Sequence, residues 1–146
     1  MSHTHFLFHI VFATKDRVPL ISPDWESELY GYLSGTIKNL GGQSLEINGM
    51  PEHIHIVTQL DLKITFPNFM RELKASSSGW VRRNHESKFG WQRRYGAFTV
   101  SESALDSVRK YVRGQKKHHL EQTFEDEYKG LLRKHRVAFD EEYLWS

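Results

Sequence analysis

The spacing of apolar residues along this chain switches from two to about 3.6 and back again, and this restricts the fold more than any other feature of the sequence. In the segment Phe6 to Ala13, Phe6, Phe8, Ile10 and Phe12 fall on one face and His5, Leu7, His9 and Val11 on the other, which predicts a strand. Ser22, Pro23 and Asp24 then supply an N-cap, a proline at the first helical position and an early acid. Trp25, Leu29, Leu33, Ile37 and Leu40 follow at helical spacing until Gly41-Gly42 stops the helix. Ser44 to Asn48 and His53 to Leu60 predict two strands joined by a hairpin over Gly49-Met50-Pro51-Glu52. Phe66, Phe69, Met70, Leu73, Ser77, Trp80, Val81 and Asn84 trace a second helix, and Tyr95 to Val100 alternates as a fourth strand. Ser101 is placed to cap a third helix carrying Leu105, Val108, Tyr111, Val112 and Gln115, and Thr123 a fourth carrying Phe124, Tyr128, Leu131 and Leu132. The order β-α-β-β-α-β-α-α predicts an α+β chain. Its first six elements form a ferredoxin-like antiparallel sheet with helices on one face, and C-terminal helices follow.

At 146 residues and 38% hydrophobic content, the chain suits a single folded domain over 1–146. It contains no cysteine, which excludes disulfides, thiolate chemistry and Cys-ligated zinc. The longest apolar run, Phe6 to Ala13, is interrupted by His9 and is far too short to cross a membrane. Met1 to His5 lack the basic and apolar regions of a secretory signal, so a cytoplasmic location is expected.

Net charge is only +2, but its distribution is uneven. From Arg71 to Lys117 there are twelve Lys or Arg residues against four acids, interleaved with Trp80, Phe89, Trp91, Tyr95 and Phe98, whereas acids gather from Glu121 onward. Such a segment suits a polyanion with stackable bases; it equally describes a solvated helical face.

The most informative segment is Met50-Pro51-Glu52-His53-Ile54-His55-Ile56-Val57. In a strand, His53 and His55 project from one face about 6.6 Å apart while Ile54 and Ile56 pack beneath. Two imidazoles so placed can clasp one metal ion; alternating His and Ile can also be just a half-exposed strand. On the third helix, Tyr111 and Gln115 are neighbours on one face, and Gln115 puts an amide on an otherwise apolar stripe. His3, His5 and His9 share a face of the first strand, and His118 and His119 are expected to be exposed or phosphate-facing rather than ligands.

These motifs occur together with Arg71-Glu-Leu-Lys-Ala-Ser-Ser-Ser-Gly-Trp80, Trp91-Gln-Arg-Arg-Tyr-Gly-Ala-Phe98 and Tyr111-x-x-x-Gln115. In that combination the chain resembles the single-tyrosine HUH transposases of the insertion-sequence 200/605 family, HUH denoting His-hydrophobe-His. The resemblance runs from Thr14-Lys15-Asp16-Arg17 to the closing Tyr143-Leu144-Trp145. It implies that His53, His55 and Gln115 are metal ligands and that Tyr111 is the nucleophile. It further implies a homodimer that binds single-stranded DNA with hairpin ends and cuts and rejoins it through a 5′-phosphotyrosine.

These residue types suit that chemistry. Two imidazoles and an amide are neutral, leaving a divalent cation's charge available to a phosphate, and such a set should accept Mg2+ or Mn2+. A tyrosine, with an unperturbed pKa of about 10, leaves phosphorus more readily than an alkyl alcohol, so the covalent intermediate retains its bond energy for rejoining. No Gly-x-x-x-x-Gly-Lys loop is present, and no nucleotide cofactor is expected. Expected DNA contacts are Lys15, Arg17, Arg71, Lys74, Arg82, Arg83, Arg93 and Arg94, with Trp80 or Trp91 as stacking surfaces. The competing readings are a domesticated relative acting on chromosomal repetitive palindromes, a non-catalytic module that binds single strands, and a hydrolytic metal nuclease.

Overall fold

A computed structural model describes residues 2–145. Strand β1 (Phe6–Ala13) leads through a short 3-10 turn at Lys15–Arg17 to helix α1 (Glu26–Asn39), then β2 (Gly42–Met50), β3 (His53–Leu60) and α2 (Phe66–Asn84). Strand β4 (Gly96–Thr99), a 3-10 turn at Glu102–Ala104 and helices α3 (Leu105–Arg113), α4 (Gln115–His118) and α5 (Phe124–Lys134) complete the chain. The four strands form one sheet in the order β2-β3-β1-β4, with every neighbouring pair antiparallel. This is the ferredoxin-like arrangement expected from the element order.

Strand alternation divides the sheet into two chemically different faces. Ile10 and Phe12 of β1 and Ile54 and Ile56 of β3 join Leu29, Leu33 and Ile37 of α1 and Phe69, Met70 and Leu73 of α2 in the main core. On the opposite face Val11, Ala13 and Phe98 pack with Phe124, Tyr128 and Leu132 of α5 and with Leu144. The C-terminal helices thus cover the second face, where His9, His53 and His55 also point.

Element boundaries differ from expectation in instructive places. Helix α1 begins at Glu26 because the Ser22 hydroxyl accepts the Asp24 amide and holds residues 23–25 in a turn. Strand β2 extends through Gly49 and Met50, leaving Pro51-Glu52 as a two-residue turn. That extension needs Gly49: a Cβ there would lie 2.2 Å from the His53 carbonyl oxygen. The third expected helix is broken at Gly114 into α3 and α4, and the Ser101 hydroxyl makes no capping bond. The expected cap at Thr123 does form, its hydroxyl accepting the Asp126 amide, and Thr65 caps α2 in the same way by accepting the Asn68 amide.

Candidate active site

Register places the two histidines of β3. His53 pairs with Ala13 and Met50, and His55 with Val11 and Asn48, so both rings stand on the face covered by α3, α4 and α5. Both are fully buried. Helices α3 and α4 follow one another closely enough that Tyr111 and Gln115 lie against these rings. Gln115 Oε1 is 3.1 Å from His53 Nε2, which brings together the four residues singled out from the sequence.

At the centre stands a residue the sequence did not single out. The Glu127 carboxylate, 3% exposed, has Oε1 3.0 Å from His55 Nε2, 3.0 Å from His119 Nε2 and 3.4 Å from His53 Nε2. Its Oε2 accepts hydrogen bonds from the Tyr111 hydroxyl and, at 2.8 Å, from Gln115 Nε2. His119, expected to be exposed or phosphate-facing, instead has only 4% of its side chain accessible and points into the cluster. Glu127 follows Glu125 and Asp126 in the first turn of α5, so in sequence it reads as one more acid favouring the helix dipole. A usable signal did exist for His119: Tyr111, Gln115 and His119 are spaced four apart on one helical stripe.

The electrostatics follow from burial and these contacts. Burial, reinforced by His55, pulls the His9 imidazole down to about 3, and burial outweighs Glu127 in pulling His55 down to about 4. For His53 burial also works downward, but hydrogen bonds to Glu127 and Glu52 prevail and hold it above the ordinary value. Burial pushes the Glu127 carboxyl up, yet hydrogen bonds from His119, His53 and His55 hold it well below the usual carboxylate range. Burial and the neighbouring Glu127 charge raise the Tyr111 phenol, keeping its proton in place.

One potential ligand atom from each of His53, His55, His119 and Glu127 lies within 4.8 Å of the others. Three imidazole nitrogens and a carboxylate oxygen, with the Gln115 carbonyl oxygen beside them, form a donor set suited to a divalent cation. The carboxylate departs from the all-neutral set expected from the sequence. A cavity of about 570 Å³ opens beside this cluster between α3 and α5, and its walls include Tyr111, Val108, Glu127 and Lys134.

The expected DNA-contacting residues divide between two places. Arg17 lies near the site: its guanidinium stacks 4.2 Å from the Trp145 ring, its Nη1 has no hydrogen-bond partner among the described residues, and it shares a cavity wall with Glu52 and His119. Lys15 is exposed on the same turn. Arg71, Arg82 and Arg93 line a separate groove of about 490 Å³ on the α2 side of the sheet, with Trp91 and Tyr95. Lys74 in that groove donates to the carbonyl oxygens of Gln92, at 2.6 Å, and Arg93, at 2.9 Å, and so anchors the segment before β4. Arg83 and Arg94 are exposed. Trp80 stacks on Tyr32, and the Trp91 indole donates to Ser77 and packs edge-on against Phe12, so both rings are engaged within the protein. Among the described residues no helix is long and apolar enough to cross a membrane.

Comparison with known proteins agrees with this architecture. The family model described as "Transposase IS200 like" matches residues 2–115. The ISDra2 transposase TnpA of Deinococcus radiodurans is 23% identical over 115 residues, spanning 74% of this chain and 82% of that protein. Among solved structures, a candidate transposase from Deinococcus radiodurans superposes with a TM-score of 0.60 at 21% identity, covering 78% of this chain and 93% of the other. A REP-associated tyrosine transposase bound to a REP hairpin gives a TM-score of 0.62 at 13% identity, covering 82% of this chain and 73% of the other.

Proposed function

We propose that this chain, which belongs to the IS200-like transposase family, cleaves and rejoins single-stranded DNA through a 5′-phosphotyrosine at Tyr111. The observation that carries this reading is the convergence of the Tyr111 hydroxyl and the His53 and His55 imidazoles on one buried carboxylate, Glu127. A non-catalytic binding module has no use for such a cluster, whose charged groups are costly to bury.

His53, His55, His119 and Glu127, with Gln115 beside them, would hold Mg2+ or Mn2+. When bound, that ion supplies positive charge to the non-bridging oxygens of the scissile phosphate. The protein's own groups do the rest. Tyr111 Oη, held in place by its hydrogen bond to Glu127, forms a bond to phosphorus and gives up its proton. The bond from phosphorus to the 3′-oxygen breaks, its electron pair leaving with that oxygen, and the proton that oxygen gains balances the one the phenol gave up. The 5′-phosphate stays on Tyr111 until a DNA 3′-hydroxyl attacks it and displaces the phenol, so rejoining requires no nucleotide cofactor. The cavity beside Tyr111 gives the strand a route to the phenol.

Arg17, stacked on Trp145 in a cavity wall shared with Glu52 and His119, supports a phosphate contact near the site, and Arg71, Arg82 and Arg93 support a second contact surface, with Lys15, Arg83 and Arg94 as further exposed cations and Lys74 ordering the groove wall. The REP-associated enzyme is bound to a REP hairpin, and by analogy the DNA partner here carries hairpin ends. With one tyrosine per chain, exchange of two strand ends needs two active sites or two rounds, which favours a homodimer; each chain acts as one domain over 1–146, and the protein works in the cytoplasm.

The test is a labelled single strand carrying a hairpin, incubated with Mn2+ and run on a denaturing gel. Label should migrate with the protein. Tyr111→Phe should retain binding and lose this species entirely, and chelator should abolish it. Free 5′-phosphate ends with no protein adduct would replace this reading with a hydrolytic nuclease.

A further inference from the structure

We propose that Glu52 and His9 are positioning residues that fix the two β3 imidazoles so that both present Nε2 to the cation; this rests on the metal-site reading above. An imidazole offers two nitrogens, and the partner of one decides the task of the other. In this site both outer nitrogens are taken. His53 Nδ1 is 2.8 Å from Glu52 Oε1, and His55 Nδ1 is 2.8 Å from His9 Nε2. Both Nε2 atoms are thereby turned toward Glu127.

The two partners come from different elements and act differently. Glu52 sits in the two-residue turn between β2 and β3, immediately before His53, and a carboxylate on Nδ1–H makes the ring a stronger donor at Nε2. His9 belongs to β1. It pairs with Val57 while Val11 pairs with His55, making His9 the diagonal neighbour of His55 on the same face. The two rings lie nearly parallel, 5.1 Å apart.

Packing alone does not account for His9. It is 4% exposed, and its strand neighbours on that face, Leu7 and Val11, are apolar. An apolar ring would fill the position without the cost of burying an imidazole. The hydrogen bond to His55 is what the histidine adds, and with a cation on His55 Nε2 that bond runs from His55 Nδ1–H to His9 Nε2.

The experiment measures Mn2+ binding to the full chain by calorimetry in metal-stripped buffer, with thermal unfolding in chelator alongside. Glu52→Ala and His9→Phe should each raise the Mn2+ Kd by roughly 10- to 100-fold. Glu52→Gln, which keeps a hydrogen-bond acceptor, should recover part of that loss. His9→Phe should unfold in chelator no lower than the native protein, which separates positioning from packing. Mn2+ binding within twofold of native by both Glu52→Ala and His9→Phe, with binding lost in His55→Ala, overturns this proposal alone. Should the native chain itself not bind Mn2+, or His55→Ala bind it as the native chain does, the metal-site reading and this proposal fall together. If His9→Phe does not fold, the Glu52 pair still decides, because Glu52 sits in a turn outside the core.

Discussion

At Glu127 a single carboxylate gathers three imidazoles, an amide and a phenol. Glu127→Ala should destabilise the metal-free protein by about 3 kcal/mol in urea unfolding, because a buried ion pair loses one member and the Tyr111 hydroxyl loses its acceptor. Glu127→Gln should be milder in unfolding but should still weaken Mn2+ binding at least tenfold, since the negative charge is gone. Acid should act through the same residues. His9 and His55 have values lowered to about 3 and about 4, so below about pH 6.5 the unfolded chain takes up protons that the folded one refuses. His53, held above its ordinary value, works the other way, its contribution being present at low pH and lost as pH rises. Glu127, held low, adds stability above its ordinary range that acid removes. Two depressed imidazoles and a depressed carboxyl outweigh one raised imidazole. Urea midpoints in chelator should therefore fall steadily from pH 7 to pH 4, and a midpoint that rises over this range would contradict the assignment.

Among the elements, α5 and the β2–β3 hairpin contribute most to the site. The Thr123 hydroxyl accepts the Asp126 amide at 3.2 Å, starting the helix that carries Glu127. Thr123→Ala should cost about 1 kcal/mol in urea unfolding. Gly49→Ala should do more harm, because its Cβ would strike the His53 carbonyl oxygen and force apart the strand that carries His53 and His55; a loss of roughly 1–3 kcal/mol together with weaker Mn2+ binding is expected. The elements were largely legible in the sequence because each buries one face, so periods of two and 3.6 were written in the positions of residues such as Ile54, Ile56, Leu33 and Leu73. His53, His55, Tyr111 and Gln115 were legible through their spacing and through resemblance. Glu127 was not. Its spacing, three residues after Phe124 and four before Leu131, sets it on the apolar stripe of α5 apart from Glu125 and Asp126, but what it meets there depends on the path of the chain between α4 and α5. His118 and His119 are adjacent in sequence, and the four-residue spacing from Tyr111 through Gln115 is the signal that marks His119 as the one turned inward.

Across the whole molecule the chemistry and the basic groove lie on opposite sides of one sheet. The cluster around Glu127 belongs to the face under α3, α4 and α5, while Arg71, Arg82 and Arg93 line a groove on the α2 side. Arg71→Ala combined with Arg93→Ala should therefore weaken single-strand binding for all sequences alike and flatten its salt dependence by about two phosphate contacts, while leaving the Mn2+ Kd within twofold of native. Fluorescence anisotropy at several salt concentrations measures the first effect and calorimetry the second. The two sides share β3, which gives Ile54 and Ile56 to the oily interior and His53 and His55 to the face that carries Glu127. A slip of β3 by a single residue would swap these roles, setting imidazoles among leucines and leaving aliphatic chains beside Glu127. Misassembled copies would then lose the packed interior and the Glu127 cluster together, so no copy could keep one without the other.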